Sequence, residues 1–224
     1  MAKHAIVAGS TGLVGCELVS LLLEHPAYDR VVTLVRSDSG IRHPKLEQRV
    51  ISFDRLADEA AGGFEGADVF CALGTTIKKA KTQEQFRKVD YGYPMELGRL
   101  ASVSGAAQFL IVTAIGADKQ SAFFYSRVKG EAEEGLRALG LPSLHIFRPS
   151  LLLGEREEVR FGERMAVLLS RVAGFAMRGP LRPYKPIAAR TVAKGMLEAA
   201  LRGTQGTHAY PSDRIEALAS THYK

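Results

Sequence analysis

The chain contains no tryptophan and only two cysteines, Cys16 and Cys71, in 224 residues. Both cysteines sit in apolar stretches, so the expectation is two buried reduced thiols rather than a disulfide or redox pair. No stretch approaches the run of about 18 apolar residues that a membrane span requires. The start, Met1-Ala2-Lys3-His4-Ala5, runs straight into a strand-like segment without the anatomy of a signal peptide, and the expected location is cytoplasmic. The six histidines (His4, His25, His43, His145, His208, His222) show no metal-ligand spacing, so no metal site is expected.

Acidic residues are scarce in one region. From Arg164 to Arg202 there are eight basic residues and a single acid, Glu198, so this segment carries the whole excess of a chain whose net charge is +6. Within it, Met165, Leu168, Leu169, Val172, Phe175 and Ala176 recur at helical spacing beside Arg164 and Arg171. An amphipathic basic stretch of this kind suits a helix over the substrate end of a sheet, a homodimer contact, or an anionic membrane surface. With few aromatics to stack on bases, nucleic-acid binding is not expected.

What the chain has is a hydrophobic fraction of 46%, enough for a large core. The first two-thirds alternates short β-branched runs with longer helical ones. Strands are predicted at His4–Ala8, Val31–Val35, Arg49–Phe53, Val69–Ala72, Gln108–Val112 and Ser143–Phe147. Helices are predicted at Gly12–Glu24, near Arg55–Ala61, at Glu84–Val103 and at Tyr125–Leu139. The strand runs are nearly continuous in apolar residues, as strands buried on both faces of a parallel sheet read. The fold class predicted is α/β, a doubly wound, mostly parallel sheet of the Rossmann type. Residues 1–150 are expected to form the Rossmann core. Residues 151–224 form a short, helical, substrate-side appendage, with a possible last strand of the same domain at 207–210.

Ile6-Val7-Ala8-Gly9-Ser10-Thr11-Gly12-Leu13-Val14-Gly15 reads as a strand, a tight turn and a helix start with the spacing G-x-x-G-x-x-G. The first glycine permits the turn. The second lets a pyrophosphate approach backbone N–H groups, and the third lets helix and strand pack closely. Gly9, Ser10, Thr11, Gly12, Leu13, Val14 and Gly15 are the candidate phosphate-binding residues. The second strand ends at Arg36, with Arg42 nearby, where an NAD-selective site carries an acid; a guanidinium there favours NADP(H) over NAD(H).

Tyr125 and Lys129 are one helical turn apart on one face. A phenol beside a fixed ammonium is a proton donor whose anion is stabilised, as carbonyl reduction by a nicotinamide requires. The same spacing also fits a half-buried tyrosine and a solvated lysine; the glycine turn in the same chain favours the chemical reading. Lys78, Lys79 and Lys81 follow the fourth strand, either as a solvated loop or as groups that steer an anion.

With these motifs in order, the chain resembles the atypical branch of the short-chain dehydrogenase/reductase family. The similarity is greatest to the small Tat-interacting-protein-like oxidoreductases, in Cys71 to Thr76, Val89-Asp90-Tyr91, Gly116-Ala117-Asp118-Lys119, Tyr125 to Glu131 and Phe147-Arg148-Pro149. The resemblance implies that Tyr125 is the general acid and that Lys129 lowers its pKa and holds the nicotinamide ribose. It implies that Thr113 hydrogen-bonds the substrate oxygen, that Leu73 and Gly74 line the adenosine side with Asp54 near the adenine, and that Pro149 and Ser150 close over the nicotinamide. Many members carry Asn in the upstream helix where this chain carries Asp90. The function so implied is NADPH-dependent reduction of a small carbonyl compound; the alternative is a non-catalytic NADPH-binding regulator or scaffold.

Overall fold

The computed structural model describes residues 2–60, 62–153 and 179–221. The amphipathic stretch Met165 to Ala176, with Arg164, Arg171 and Arg178, lies outside the described residues.

Seven strands form one sheet: β1 (Lys3–Ala8), β2 (Tyr28–Val35), β3 (Leu46–Val50), β4 (Asp68–Cys71), β5 (Gln108–Val112), β6 (Ser143–Arg148) and, after a small pair β7 (Leu152–Leu153) and β8 (Ile187–Ala188), β9 (Gly206–Pro211). Their order is β3-β2-β1-β4-β5-β6-β9, and every neighbouring pair is parallel. The predicted doubly wound parallel sheet is present. Side chains alternate between two cores, as the two-residue period of a strand requires. Ala5, Val7, Phe70, Leu110 and Phe147 face α1 (Leu13–Glu24), α7 (Ala189–Arg202) and α8 (Ser212–Ala219). Ile6, Ala8, Val69, Cys71, Phe109 and Ile146 face α2 (Leu56–Glu59), α5 (Tyr93–Val103) and α6 (Phe124–Arg137). Because neighbouring strands are covered on both sides, their sequences read as unbroken apolar runs rather than alternating ones.

Strand order reverses between β1 and β4, so a crevice opens at the carboxyl ends of those two strands. The opposite end is tied for stability. There the buried Asp68 accepts hydrogen bonds from Lys3 Nζ (2.9 Å), Tyr28 Oη (2.5 Å) and Gln108 Nε2 (2.7 Å), which joins β1, β2 and β5 to β4.

Four expectations are corrected. The third strand is Leu46–Val50 rather than Arg49–Phe53, because Phe53 turns into a short 3-10 segment and packs on the ring of Tyr93 at 5.4 Å. The helix predicted over Glu84–Val103 is three pieces: α4 (Gln83–Arg87), a π-helical turn (Lys88–Gly92) and α5. Pro94 supplies the reason. Its ring crowds the carbonyl of the residue four back, and the chain widens so that Tyr93 N–H bonds to Lys88 O instead. The lysines after β4 begin not in an open loop but in α3 (Ile77–Ala80), capped by the Thr76 hydroxyl. Cys16 is half-buried rather than buried; Cys71 is buried, which pushes its thiol up to about 12. Neither α8 nor the β7–β8 pair was anticipated.

Of the basic segment, Arg190 pairs with Glu17 at 2.9 Å and so ties α7 to α1, and Lys185 reaches Glu216 at 3.4 Å.

The last strand carries a pH-sensitive contact. His145 is fully buried on β6, hydrogen-bonded to Ser143 (2.9 Å) and Tyr210 (3.0 Å) and stacked on His208. Burial first, and the neighbouring His208 second, depress its pKa to about 4. The unfolded chain, with an ordinary histidine near 6.5, binds the proton first, so stability is present above about pH 6.5 and is lost as pH falls toward about 4. The loss attributable to this group is on the order of 3 kcal/mol. Urea unfolding at pH 7 and pH 4.5 should show a steeper loss for the parent than for His145→Gln; parallel losses would assign the acid sensitivity elsewhere.

Candidate nicotinamide and proton-transfer site

The crevice is a groove of about 580 Å³ lined by Gly9, Ser10, Thr11 and Gly12 from the turn after β1, Arg36 from the end of β2, and Leu73, Gly74 and Thr75 from the end of β4. Phe53, Lys79, Gln85, Val89 and Tyr93 complete its walls.

The glycine turn is built by close approach. Gly9 has φ +87°, and a Cβ there would lie 2.5 Å from the Ala72 carbonyl carbon. A Cβ on Gly15 would lie 2.0 Å from Gly9 O, so helix and strand touch backbone to backbone. Gly12 caps α1 with no side-chain hydrogen bond, and the first turn holds no acid. The helix N-terminus therefore presents backbone donors and an uncompensated dipole to the groove, and both suit an anion. Leu13, Val14 and Gly15, anticipated beside Gly9 to Gly12, begin α1. Val14 is buried, Leu13 packs against the core, and none of the three lines the groove.

At the far end of the groove, Arg36 is exposed beside Tyr93. Arg42 does not line the groove, and both its terminal nitrogens are held by Asp38, at 3.0 and 2.7 Å. Asp54 lies in an adjoining recess with Arg36 and Tyr93, where it accepts from Tyr93 Oη (2.6 Å) and Lys88 Nζ (2.8 Å).

Behind the groove wall at Gly74 lies α6, whose Tyr125 and Lys129 do not themselves line the groove. Tyr125, in the first turn, is 40% exposed and packs on Phe86 with the rings tilted by 49° and their centroids 5.5 Å apart. One turn on, Lys129 is 5% exposed, and a Cβ on Gly74 would lie 3.7 Å from its Nζ, so the ammonium sits directly behind the groove wall. Its partner is Asp90, aimed inward by the π-helical turn, with Nζ to Oδ1 at 2.7 Å. Asp90 Oδ2 accepts the backbone N–H of Thr75 at 2.9 Å. Burial pushes the Lys129 pKa down, but Asp90, with help from Tyr125, outweighs it, and the net direction is upward. The lysine is held as a cation.

Gly130 lets α6 sit this low. A Cβ there would lie 2.2 Å from Lys119 N, so the Gly116 to Lys119 turn rests on the helix backbone beside Lys129. Pro149 is buried, and its carbonyl accepts Ile115 N–H at 2.9 Å, which ties the ends of β5 and β6.

Thr113 departs from the expectation. It is 5% exposed, and its hydroxyl donates to Glu133 Oε1 at 2.7 Å. Glu133 is itself buried and also accepts from Arg148 and Arg137. The hydroxyl is thus spent inside, bracing α6 against β5 and β6, rather than offered to a substrate oxygen. Sequence reasoning missed this network and the Asp90–Lys129 pair, because both join residues far apart in the chain. The i, i+4 spacing of Lys129 and Glu133 was the available signal, since it puts Glu133 on the helix face of Tyr125 and Lys129.

A glycine-turn groove at the switch point of a doubly wound sheet, with a tyrosine–lysine helix behind its wall, is the arrangement of the short-chain dehydrogenase/reductase class. The relatives specify the branch. The chain is 36% identical over 168 residues to Protein HTATIP2 of Rattus norvegicus, covering 73% of this chain and 69% of that one. It is 36% identical over 157 residues to Protein FMP52-1, mitochondrial, of Scheffersomyces stipitis, covering 68% and 69%. It is 30% identical over 227 residues to Protein fmp52, mitochondrial, of Aspergillus clavatus, covering 99% and 96%. The chain belongs to this atypical short-chain dehydrogenase/reductase family of HTATIP2- and FMP52-like proteins. No family model matches it. Among solved structures, WbmH of Bordetella bronchiseptica in complex with NAD+ has a TM-score of 0.68 at 15% identity, over 94% of this chain and 76% of that one. MoeE5 in complex with UDP-glucose and NAD has a TM-score of 0.66 at 13% identity, over 97% and 81%. These likenesses are of fold. The mitochondrial names of the fungal relatives overturn the expectation of a purely cytoplasmic protein.

Proposed function

We propose that this protein reduces a small carbonyl compound with NADPH, with Tyr125 as the proton donor. The observation that carries the reading is the continuity of the site: one groove runs from the open N-terminus of α1 to the wall behind which Lys129 lies, with the half-exposed Tyr125 one turn away. Gly9 to Gly12 would hold the pyrophosphate, Leu73 and Gly74 the adenosine side, and Lys129 the nicotinamide ribose. A bound reduced nicotinamide supplies the hydride. As the carbonyl carbon gains that hydride, charge builds on its oxygen, and Tyr125 Oη gives up its proton to that oxygen. The alcohol forms and a phenolate remains beside the Lys129 cation. With Thr113 committed inward, Tyr125 is the hydroxyl, among those anticipated from the sequence, that remains for the substrate.

Arg36 supports NADP(H) over NAD(H), since its guanidinium is the exposed cation at the end of the groove where a 2′-phosphate would sit. A charge-assisted hydrogen bond is worth roughly 1.5–3 kcal/mol. Arg36→Ser should therefore weaken NADPH binding by about 10- to 100-fold and leave NADH binding nearly unchanged. Fluorescence titration with both nucleotides checks this; an equal fall for both would remove the 2′-phosphate role. The rival reading, a nucleotide-binding regulator, predicts saturable NADPH binding with no turnover across a panel of carbonyl compounds.

A further inference from the structure

Asp90 meets two donors, and each of its oxygens takes one. Lys129 Nζ lies 2.7 Å from Oδ1, and the Thr75 backbone N–H donates to Oδ2 at 2.9 Å. A carboxylate accepts at both oxygens, whereas an asparagine amide accepts at one end and donates at the other. Asparagine at position 90 would therefore leave one of the two donors without its acceptor. Asp90 is 1% and Lys129 5% exposed, and a buried ion left unpaired is costly.

The contact with Thr75 matters because of the residue before it. Gly74 is exposed and lines the groove. A Cβ on Gly74 would lie 3.7 Å from Lys129 Nζ and 3.5 Å from Asp90 Oδ1, so the buried pair stands directly behind this residue. The missing side chain is what leaves the ammonium within reach of a ligand in the groove. Asp90 thus joins three segments: the wall at Thr75 after β4, its own π-helical turn ahead of α5, and Lys129 on α6.

We propose that Asp90 is a positioning residue for cofactor binding: it holds the Lys129 ammonium against the wall at Gly74, where the ammonium donates to the hydroxyls of the nicotinamide-side ribose. This rests on the reading of the groove as a nicotinamide-nucleotide site. Asp90 acts through Lys129 rather than on the nucleotide, since Lys129 and Thr75 take its two oxygens. Its part is to fix where the donor stands relative to the wall. Gly74 then serves the nicotinamide side of the groove as well as the adenosine side.

The test compares two ligands on the full chain by titration calorimetry: NADPH, and adenosine 2′,5′-bisphosphate, which has the adenosine end but no nicotinamide-side ribose. Asp90→Asn should weaken NADPH binding about tenfold or more and leave the bisphosphate within about twofold of the parent. Asp90→Ser removes the same carboxylate with a smaller side chain and serves as the second variant. Gly74→Ala should give the same selective loss from the groove side. Its φ lies outside the left-handed region and its methyl meets the pair at ordinary contact distance, so its unfolding midpoint should match that of the parent. In a Lys129→Met background, Gly74→Ala and Asp90→Asn should cost NADPH affinity little further, because the donor they act through is gone. An NADPH affinity unchanged in the Asp90 variants, an equal fall for both ligands, or a loss that persists without Lys129 would overturn the proposal and leave the nucleotide site standing. A parent that binds neither ligand would overturn the nucleotide reading itself, and this proposal with it.

Discussion

Tyr125→Phe should lower carbonyl turnover by roughly 10²- to 10⁴-fold, the range expected for loss of a well-placed general acid. The ring stays, so its packing on Phe86 is kept. Tyr125 is 40% exposed, so the unfolding midpoint should stay close to that of the parent. NADPH affinity should also change little, because the groove from Gly9 to Thr75 is untouched. The measurement is kcat and KM on a carbonyl substrate found by screening with NADPH. A fall in kcat with KM nearly constant fits an interaction made in the transition state. Full turnover in the variant would remove Tyr125 from the mechanism.

Gly15→Ala should damage the fold itself. The added methyl would lie 2.0 Å from Gly9 O, 2.8 Å from Gly9 C and 3.0 Å from Ser10 Cα, all backbone atoms that cannot rotate away. Either α1 lifts from β1 or the turn is displaced. Overpacking of this kind costs about 1–3 kcal/mol when side chains can give way, and more where only backbone can move. Against a total stability of roughly 5–15 kcal/mol, that is a large fraction. Urea unfolding should show a clear fall in midpoint, with NADPH binding weakened as well. Gly12→Ala is the contrast, because its methyl would meet Gly9 O at 3.3 Å, a tight but tolerable contact, at a residue that lines the groove in which we propose the nucleotide binds. That variant should keep its unfolding midpoint and lose nucleotide affinity. Equal midpoints for Gly15→Ala and the parent would mean that helix and strand are less closely packed than the structure shows.

The parallel sheet was legible because its strands are covered on both sides and read as apolar runs; β5 matches its predicted range residue for residue. The third strand was misplaced because Phe53 has the side chain of a strand residue, yet it is buried as a wall of the groove rather than in the ladder. The break in the helix after Gln83 had a visible signal in Pro94, but its effect, turning Asp90 toward Lys129, depends on where α6 lies.

Local sequence therefore determined the glycine turn, the tyrosine–lysine face and the alternation of strand and helix, since each is set by contacts within a few residues. Tertiary structure alone decided which charges meet. Thr113, 20 residues from Glu133, turned inward to it, and Asp90, 39 residues from Lys129, became its counterion. A buried ion must find a partner wherever the fold supplies one, and no local spacing specifies that partner.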